Sequence, residues 1–504
     1  MAHDLAHDRP DEADEWPDEQ PEDEPDGQPE AAPVSTGPID DVDFEPRMSD
    51  ADALMWNIEK DPLLRSTILT VMVFDRPLDR DRLHRRVDRV SRVIPRLRQR
   101  VRGHTLSIAP PRWDVDPNFD LHYHLRFMRV VGAGTLREVL DIAAPMAMQG
   151  FDRARPLWEF TVIEGLDGDR TALITKVHHA ITDGVGGVKL MMAMLDIDQD
   201  AADDVDLRLP PAPDADATNE PQRIVDALAY EGRRQMGNAT KAFSSLVREA
   251  GRVRHDPLGA GIDVLSTAGS VARMVAPAGE PLSPLMVDRS LSVRFDTLQV
   301  PLGSMKKASK LVGGRLNDAF VGGVTGGLAR YHRRMGVEVD KLRMTMPINV
   351  RSAETATVAG NQFAPARFPV PVGIDDPIAR MNAVRELMEE QRREPALGLT
   401  DLMAGVLNRL PTTATTGIFG SMLRGVDFVT SNVPGPPIPV YLAGGLLERQ
   451  VAFGPMTGAA ANITLLSYLD DLNIGVNTDP LAVTEPDLLL ECLADAFAEI
   501  VKLV

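Results

Sequence analysis

Apolar residues recur along this chain in two periods, and the changes of period mark out its elements. Ser49 stands ahead of the run Ala53-Leu54-Met55-Trp56 as the cap of a short helix, and residues 66–74 follow as the first β-branched strand. Leu83, Val87, Val90 and Ile94 fall at helical spacing beneath a row of arginines, which predicts a helix over 81–94 whose basic face is solvated surface. Further helices are predicted over 136–148 and 185–195, and strands over 157–164 and 171–177. Beyond an Asp-, Pro- and Ala-rich stretch at 201–222 comes a long basic helical segment, 223–254. The pattern then resumes with a strand at 291–300, helices at 303–311 and 318–334, and a buried strand at 342–350. A helix at 377–392, strands at 426–430, 461–468 and 472–476, and a final helix at 485–503 complete it. Strands and helices mixed in similar order in two stretches of comparable size predict an α/β protein of two similar domains.

Charge changes this picture at one end. Residues 1–46 hold 17 Asp and Glu against the single Arg9, with eight prolines, and so carry 16 of the net 20 negative charges. Such a segment buries too little apolar surface to fold, and 1–46 is expected to be a disordered acidic tail. The rest divides into an N-terminal half, 47–200, a linker with basic helices, 201–288, and a C-terminal half, 289–504. The basic amphipathic stretch at 223–254 and the following 258–287 suit either a membrane contact or lid, or plain packing on the two halves, the latter favoured. No basic excess points to nucleic acid. Cys492 alone forbids an internal disulfide, and its Leu- and Ala-rich surroundings make it a buried, inert thiol. The acidic N-terminus lacks the blocks of a signal peptide and no run of 18 apolar residues appears, so a cytoplasmic protein touching lipid peripherally is expected.

Candidate chemistry concentrates at His178-His179-Ala180-Ile181-Thr182-Asp183-Gly184, between a predicted strand and a predicted helix. A neutral imidazole can take the proton of a hydroxyl as it attacks a carbonyl, and a nearby carboxylate can fix its tautomer. If the strand runs through both histidines they face opposite ways, so one faces a cleft and the other is a packed neighbour. His179 is taken as the base and His178 as its support. Asp183 either orients the histidine or pairs with an arginine to hold the loop, the second being the simpler role. His179 and Asp183 have half-site spacing for a metal, but the remaining histidines form no zinc motif and none is expected.

The histidine string resembles the active-site motif of the coenzyme A-dependent acyltransferase superfamily, which includes chloramphenicol acetyltransferase and peptide-synthetase condensation domains. Pro156-Leu157-Trp158-Glu159, Gly314-Arg315-Leu316-Asn317-Asp318, the run from Met346 to Arg351, Gly360-Asn361-Gln362 and the run from Ser431 to Pro436 narrow it. Together these look like the bacterial wax ester synthase/diacylglycerol acyltransferase family. The resemblance implies two chloramphenicol-acetyltransferase-like domains with a substrate tunnel and the active site between them. It also implies acyl-CoA as a substrate rather than a cofactor, with diacylglycerol or a long-chain alcohol as acceptor and no covalent acyl-enzyme. Alternatives are a condensation-type or carrier-protein-dependent acyltransferase, and a catalytically silent lipid-droplet binding protein. His179, His178, Asp183, Gly184 and Asn317 carry over as catalytic positions, and Pro156, Leu157, Trp158, Asp318 and Asn432 as substrate-binding ones. Asp183 and Arg351 carry over as a salt bridge joining the halves. The residues themselves leave two of these open. Trp158 can wall an acyl chain or sit in the core. Asn317 can cap a helix opening at Asp318 or donate to an oxyanion. The run from Ser431 to Pro436 reads as a chain reversal shaping the cleft wall.

Overall fold

The computed structural model describes residues 44–103, 109–181, 184–201, 209–213, 225–233, 279–349, 363–393, 408, 415–417, 420, 423 and 425–504. All of these belong to one compact unit spanning 37–504. Asp183, Arg351, Gly360, Asn361, Gln362 and residues 1–43 lie outside the described residues, as does most of 201–288. The expected acidic tail and the Asp183–Arg351 bridge therefore lie outside them, and of the basic helical segment only 225–233 is described, as helix.

The first half opens with α1 (Asp50–Ile58), whose first turn is capped by the Ser49 hydroxyl accepting the Asp52 N–H at 3.0 Å. Strand β1 (Thr67–Phe74), helix α2 (Arg80–Val93), the hairpin β2 (Gln99–Arg102) and β3 (Arg112–Val115), and α3 (Leu121–His124) follow. Next come β4 (Leu125–Arg129), α4 (Leu136–Met148), β5 (Trp158–Glu164), β6 (Thr171–His178) and α5 (Gly184–Met194). Strand β6 is buried along its whole length because both faces are covered. Ala172 and Ile174 pack with Val139 and Leu140 of α4, whereas Leu173 and Val177 pack with Leu83 and Val87 of α2 and Leu190 of α5.

In the second half β7 (Arg294–Pro301) leads to α6 (Leu302–Lys310), α7 (Leu316–Arg334), β8 (Lys341–Asn349), β9 (Phe363–Pro371) and α8 (Pro377–Arg392). Then follow β10 (Phe428–Val433), β11 (Tyr441–Leu442), β12 (Gly445–Phe453), β13 (Ala461–Tyr468), β14 (Asp471–Thr478) and α9 (Pro486–Val501). One six-stranded sheet runs β7-β14-β13-β10-β8-β9 and the other β11-β12-β1-β6-β5-β4. Strand β12 thus comes from the second half of the sequence but completes the first sheet, pairing antiparallel with β1 from Leu69↔Phe453 to Phe74↔Leu447. Its backbone lies directly on β14. A Cβ on Gly475 would stand 2.1 Å from the Ala452 carbonyl oxygen, so only glycine leaves room. Phe453 of β12 stacks on Phe295 of β7 at 4.1 Å, and Arg137 of α4 pairs with Asp296 at 2.7 Å, fastening the halves a second time.

Two expectations change. The arginines of α2 are not a bare solvated face: Arg86 meets Asp196 at 2.6 Å, and Arg82 and Arg92 donate to the carbonyls of Ala201 and Pro210. They hold the chain that leaves α5. Strand β10 also continues past Thr430, so Ser431 and Asn432 are strand residues paired with Thr464 and Leu465, and the reversal begins only at Pro434.

Candidate active site

The ladder between β1 and β6 ends at Thr67↔His178, and the His179 N–H extends it by donating to the Ser66 carbonyl at 2.8 Å. The chain then turns, with Ile181 N–H on the His178 carbonyl, and α5 begins at Gly184. The His178 N–H donates to the Leu157 carbonyl at 3.0 Å, so the Pro-Leu-Trp segment pins the histidine backbone.

His178 is fully buried on the α4 face of the sheet. Its Nδ1 accepts the Ala180 N–H at 2.9 Å and therefore carries no proton, which leaves the proton on Nε2, 2.9 Å from Glu59 Oε1. Both ring nitrogens are committed, and the edges of Trp56 and Phe151 stand 5.7 and 5.9 Å from the ring. Burial works to raise the Glu59 carboxyl, but the His178 hydrogen bond, the Ser66 N–H at 2.6 Å and the Arg153 charge hold it below the ordinary value. Glu59 is thus an ionised acceptor that fixes the tautomer and tilt of His178. Lys176, two residues earlier on the same face, is buried 3.8 Å from Glu159 and 4.4 Å from the Phe151 ring centre. Burial lowers its pKa against the pull of Glu159.

His179 is the first residue past β6, and the alternation of that strand continued by one residue points to the other face, the one shared by Thr175 and Val177. That face borders a cleft. Its lining includes Ile68 of β1, Phe160 of β5, Leu190 and Met191 of α5, and Val433 and Leu466 of the second sheet, so both halves contribute walls. The lining is largely apolar, with Thr70, Thr175 and Gln450 as its polar exceptions.

The remaining expected positions divide. Leu157 and Trp158 are fully buried: the indole N–H donates to the Leu97 carbonyl at 2.8 Å and the ring stacks on His124 at 4.5 Å. Together with the buried Pro156 they are core and backbone support, and it is Phe160, two residues on, that lines the cleft. Asn317 is not an N-cap, since α7 already begins at Leu316; its amide reaches Met346 Sδ at 3.5 Å. Asp318 is buried in the first turn of α7, and its carboxylate accepts the N–H of the N-cap Arg315 at 2.7 Å, so it secures the start of that helix rather than contacting a substrate. Burial raises its pKa. Asn432 is exposed on β10, and its neighbour Val433 faces the cleft instead.

Residues 48–320 match the sequence profile of the wax ester synthase/diacylglycerol acyltransferase catalytic domain, and residues 359–501 that of the WS/DGAT C-terminal domain. The chain belongs to the wax ester synthase/diacylglycerol acyltransferase family. A Mycobacterium tuberculosis H37Rv protein named as a candidate diacylglycerol O-acyltransferase is 38% identical over 462 residues, 91% of this chain and 93% of that protein. A second from the same strain is 29% identical over 454 residues, 87% and 93% of the two chains. The wax ester synthase/diacylglycerol acyltransferase of Marinobacter aquaeolei VT8 superposes with a TM-score of 0.58 at 21% identity, covering 90% of this chain and 98% of that one. The first condensation domain of the calcium-dependent antibiotic synthetase gives 0.56 at 15% identity, covering 92% and 96%. At these identities the likeness is one of fold, the mixed α/β, two-domain arrangement with chloramphenicol-acetyltransferase-like halves.

In this WS/DGAT chain sequence reasoning missed Glu59 and the cleft residues Phe160 and Gln450. Glu59 had one local signal. It is the C-cap of α1, where the negative end of the helix dipole disfavours an acid, so a carboxylate there needs a partner from elsewhere. Among the described residues no cluster of His, Cys, Asp and Glu could hold a metal ion, and no helix is long and apolar enough to cross a membrane.

Proposed function

We propose that this acyltransferase moves a long-chain acyl group from acyl-CoA to the hydroxyl of diacylglycerol, and to long-chain alcohols, in a ternary complex without an acyl-enzyme. The observation that carries the reading is the division between the two histidines. One is locked by Glu59 and Ala180, and the other directly follows the last residue of the same strand, whose Thr175 and Val177 line a largely apolar cleft. His179 removes the hydroxyl proton as the oxygen attacks the thioester carbonyl, and the tetrahedral adduct collapses to the ester. The coenzyme A thiolate leaves and takes the proton back from His179. Asn317, in the first turn of α7, supplies an amide donor for the oxyanion, a contribution on the order of 3 kcal/mol where such donors act. Asp183 and Arg351 hold the loop after His179. A peripheral contact with a membrane or lipid droplet would bring both lipid substrates to the cleft.

The test is direct. Purified protein is incubated with palmitoyl-CoA and either diacylglycerol or hexadecanol, and the ester products are quantified. His179→Ala is expected to lower kcat by about 10²- to 10⁴-fold. A folded His179→Ala protein with undiminished transfer would overturn the assignment.

A further inference from the structure

We propose that Gln450 is the end-stop of the cleft and sets the longest acyl chain the protein accepts; this rests on the acyl-transfer reading above.

The registers of three neighbouring strands order the cleft lining by distance from His179. Val177 and Ile68 form the first level, and Thr175, Thr70 and Ala452 the second. At the third level β12 contributes Gln450, opposite Met72 of β1 and in line with Leu173 of β6. Gln450 lines the cleft, whereas Met72 and Leu173 are fully buried in the first-half core, so the open face closes there. Leu173 lies six positions before His179 along the chain, about 20 Å of extended backbone, a span suited to an extended long-chain acyl group.

The stop is rigid. Gln450 is only 3% exposed and its Nε2 lies 3.4 Å from the Ser467 carbonyl oxygen. The loop at Gly435 presses on the same place: a Cβ there would stand 1.9 Å from the Ser467 oxygen and 2.6 Å from Gln450 Nε2. Gly435 is held by its own N–H, which donates to Ser467 Oγ at 3.0 Å. The amide therefore has no room to swing aside for a longer chain. Up to the stop, each buried methylene should favour a chain by about fourfold. Beyond it the gain vanishes and a clash replaces it.

The experiment measures kcat/KM for saturated acyl-CoAs from octanoyl to tetracosanoyl with one acceptor, for the wild type, Gln450→Ala and the size-conserving Gln450→Leu. In parallel, thermal stabilisation by free fatty acids of the same lengths reports chain binding without catalysis. The wild type is expected to show a ceiling. Gln450→Ala should move it outward by two or more carbons, raising the ratio of kcat/KM for the first excluded chain over the last accepted one by about tenfold. Gln450→Leu should leave the ceiling in place. An unmoved ceiling in folded Gln450→Ala, in both transfer and binding, overturns the proposal. If no chain is transferred but the binding ceiling moves as described, the length stop stands and the acyl-transfer reading falls.

Discussion

His124 offers a quantitative test of how the first half is packed. It is fully buried at the end of α3, with its ring stacked between Trp158 at 4.5 Å and Phe119 at 5.2 Å. Nδ1 lies 2.6 Å from the Trp158 carbonyl oxygen and must donate to it. Nε2 is therefore the unprotonated nitrogen, enclosed with no hydrogen-bond partner among the described residues. Charging the ring would bury a cation in an aromatic stack. Burial accordingly lowers the pKa to about 4, against the pull of the Trp158 carbonyl and helped by the charges of Arg155 and Arg126.

In the unfolded chain the same imidazole titrates near 6.5. Between about pH 6.5 and 4 the unfolded state takes up a proton that the folded state refuses, so stability present above pH 6.5 is lost as pH falls. At about 1.4 kcal/mol per pKa unit the total loss is about 3 kcal/mol. Buried carboxyls such as Asp427 and Asp318, which burial raises, titrate in the acid range with the opposite sign. The measured quantity is therefore the difference between the wild type and His124→Phe. That variant keeps the stack and loses one donor to the Trp158 carbonyl, a cost of about 1 kcal/mol that does not vary with pH. Urea unfolding at half-unit steps from pH 7 to 4.5, at constant ionic strength, should show the wild type losing about 1.4 kcal/mol per pH unit more than the variant below pH 6. Parallel pH slopes in the two proteins would refute the buried, neutral His124.

Three further outcomes are expected. Glu59→Ala leaves the buried Nε2–H of His178 without its acceptor and should cost about 1–3 kcal/mol in chemical denaturation. It should also lower kcat more than it changes KM, whereas Glu59→Gln, which can still accept, should recover part of the loss in both assays. Gly475→Ala places a methyl 2.1 Å from the Ala452 oxygen and should destabilise by about 1–3 kcal/mol in thermal unfolding, with the strand displaced. Arg86→Met removes the pair with Asp196 that helps tie α2 to the chain leaving α5; faster limited proteolysis near 201–213 with little change in melting temperature is the expected sign.

What could be read from the sequence was what depends on local period. Helix α8 and strand β13 fall at the predicted limits. Local rules gave no sign of β9, whose Pro365, Pro369 and Pro371 argue against a strand. It forms because it is the edge strand of the second sheet, where a missing N–H is tolerated. The site was harder. Trp158 looked available to a substrate because its two polar-ring partners, the Leu97 carbonyl and His124, lie 61 and 34 positions upstream. Glu59 is far from His178 in sequence and nothing in the histidine motif names it. In each case the deciding contact is long-range, and a hydrophobic pattern contains no long-range term.

Strand β12 shows why that missing term matters for function. Read locally, Gly445-Leu446-Leu447-Glu448-Arg449-Gln450 is an undistinguished stretch of the second half. Once it crosses to pair with β1, its alternation sends Val451 and Phe453 into the core beneath α4 and turns Gln450 and Ala452 into the cleft. One wall of the cleft is then supplied by a strand whose position is fixed by close contact with β14 at Gly475. Neither half could build this cleft alone, because Ile68, Thr175 and Leu190 come from the first and Val433, Gln450 and Leu466 from the second. A substitution at the crossing should accordingly shift acyl-chain preference along with stability, although Gly475 itself does not line the cleft.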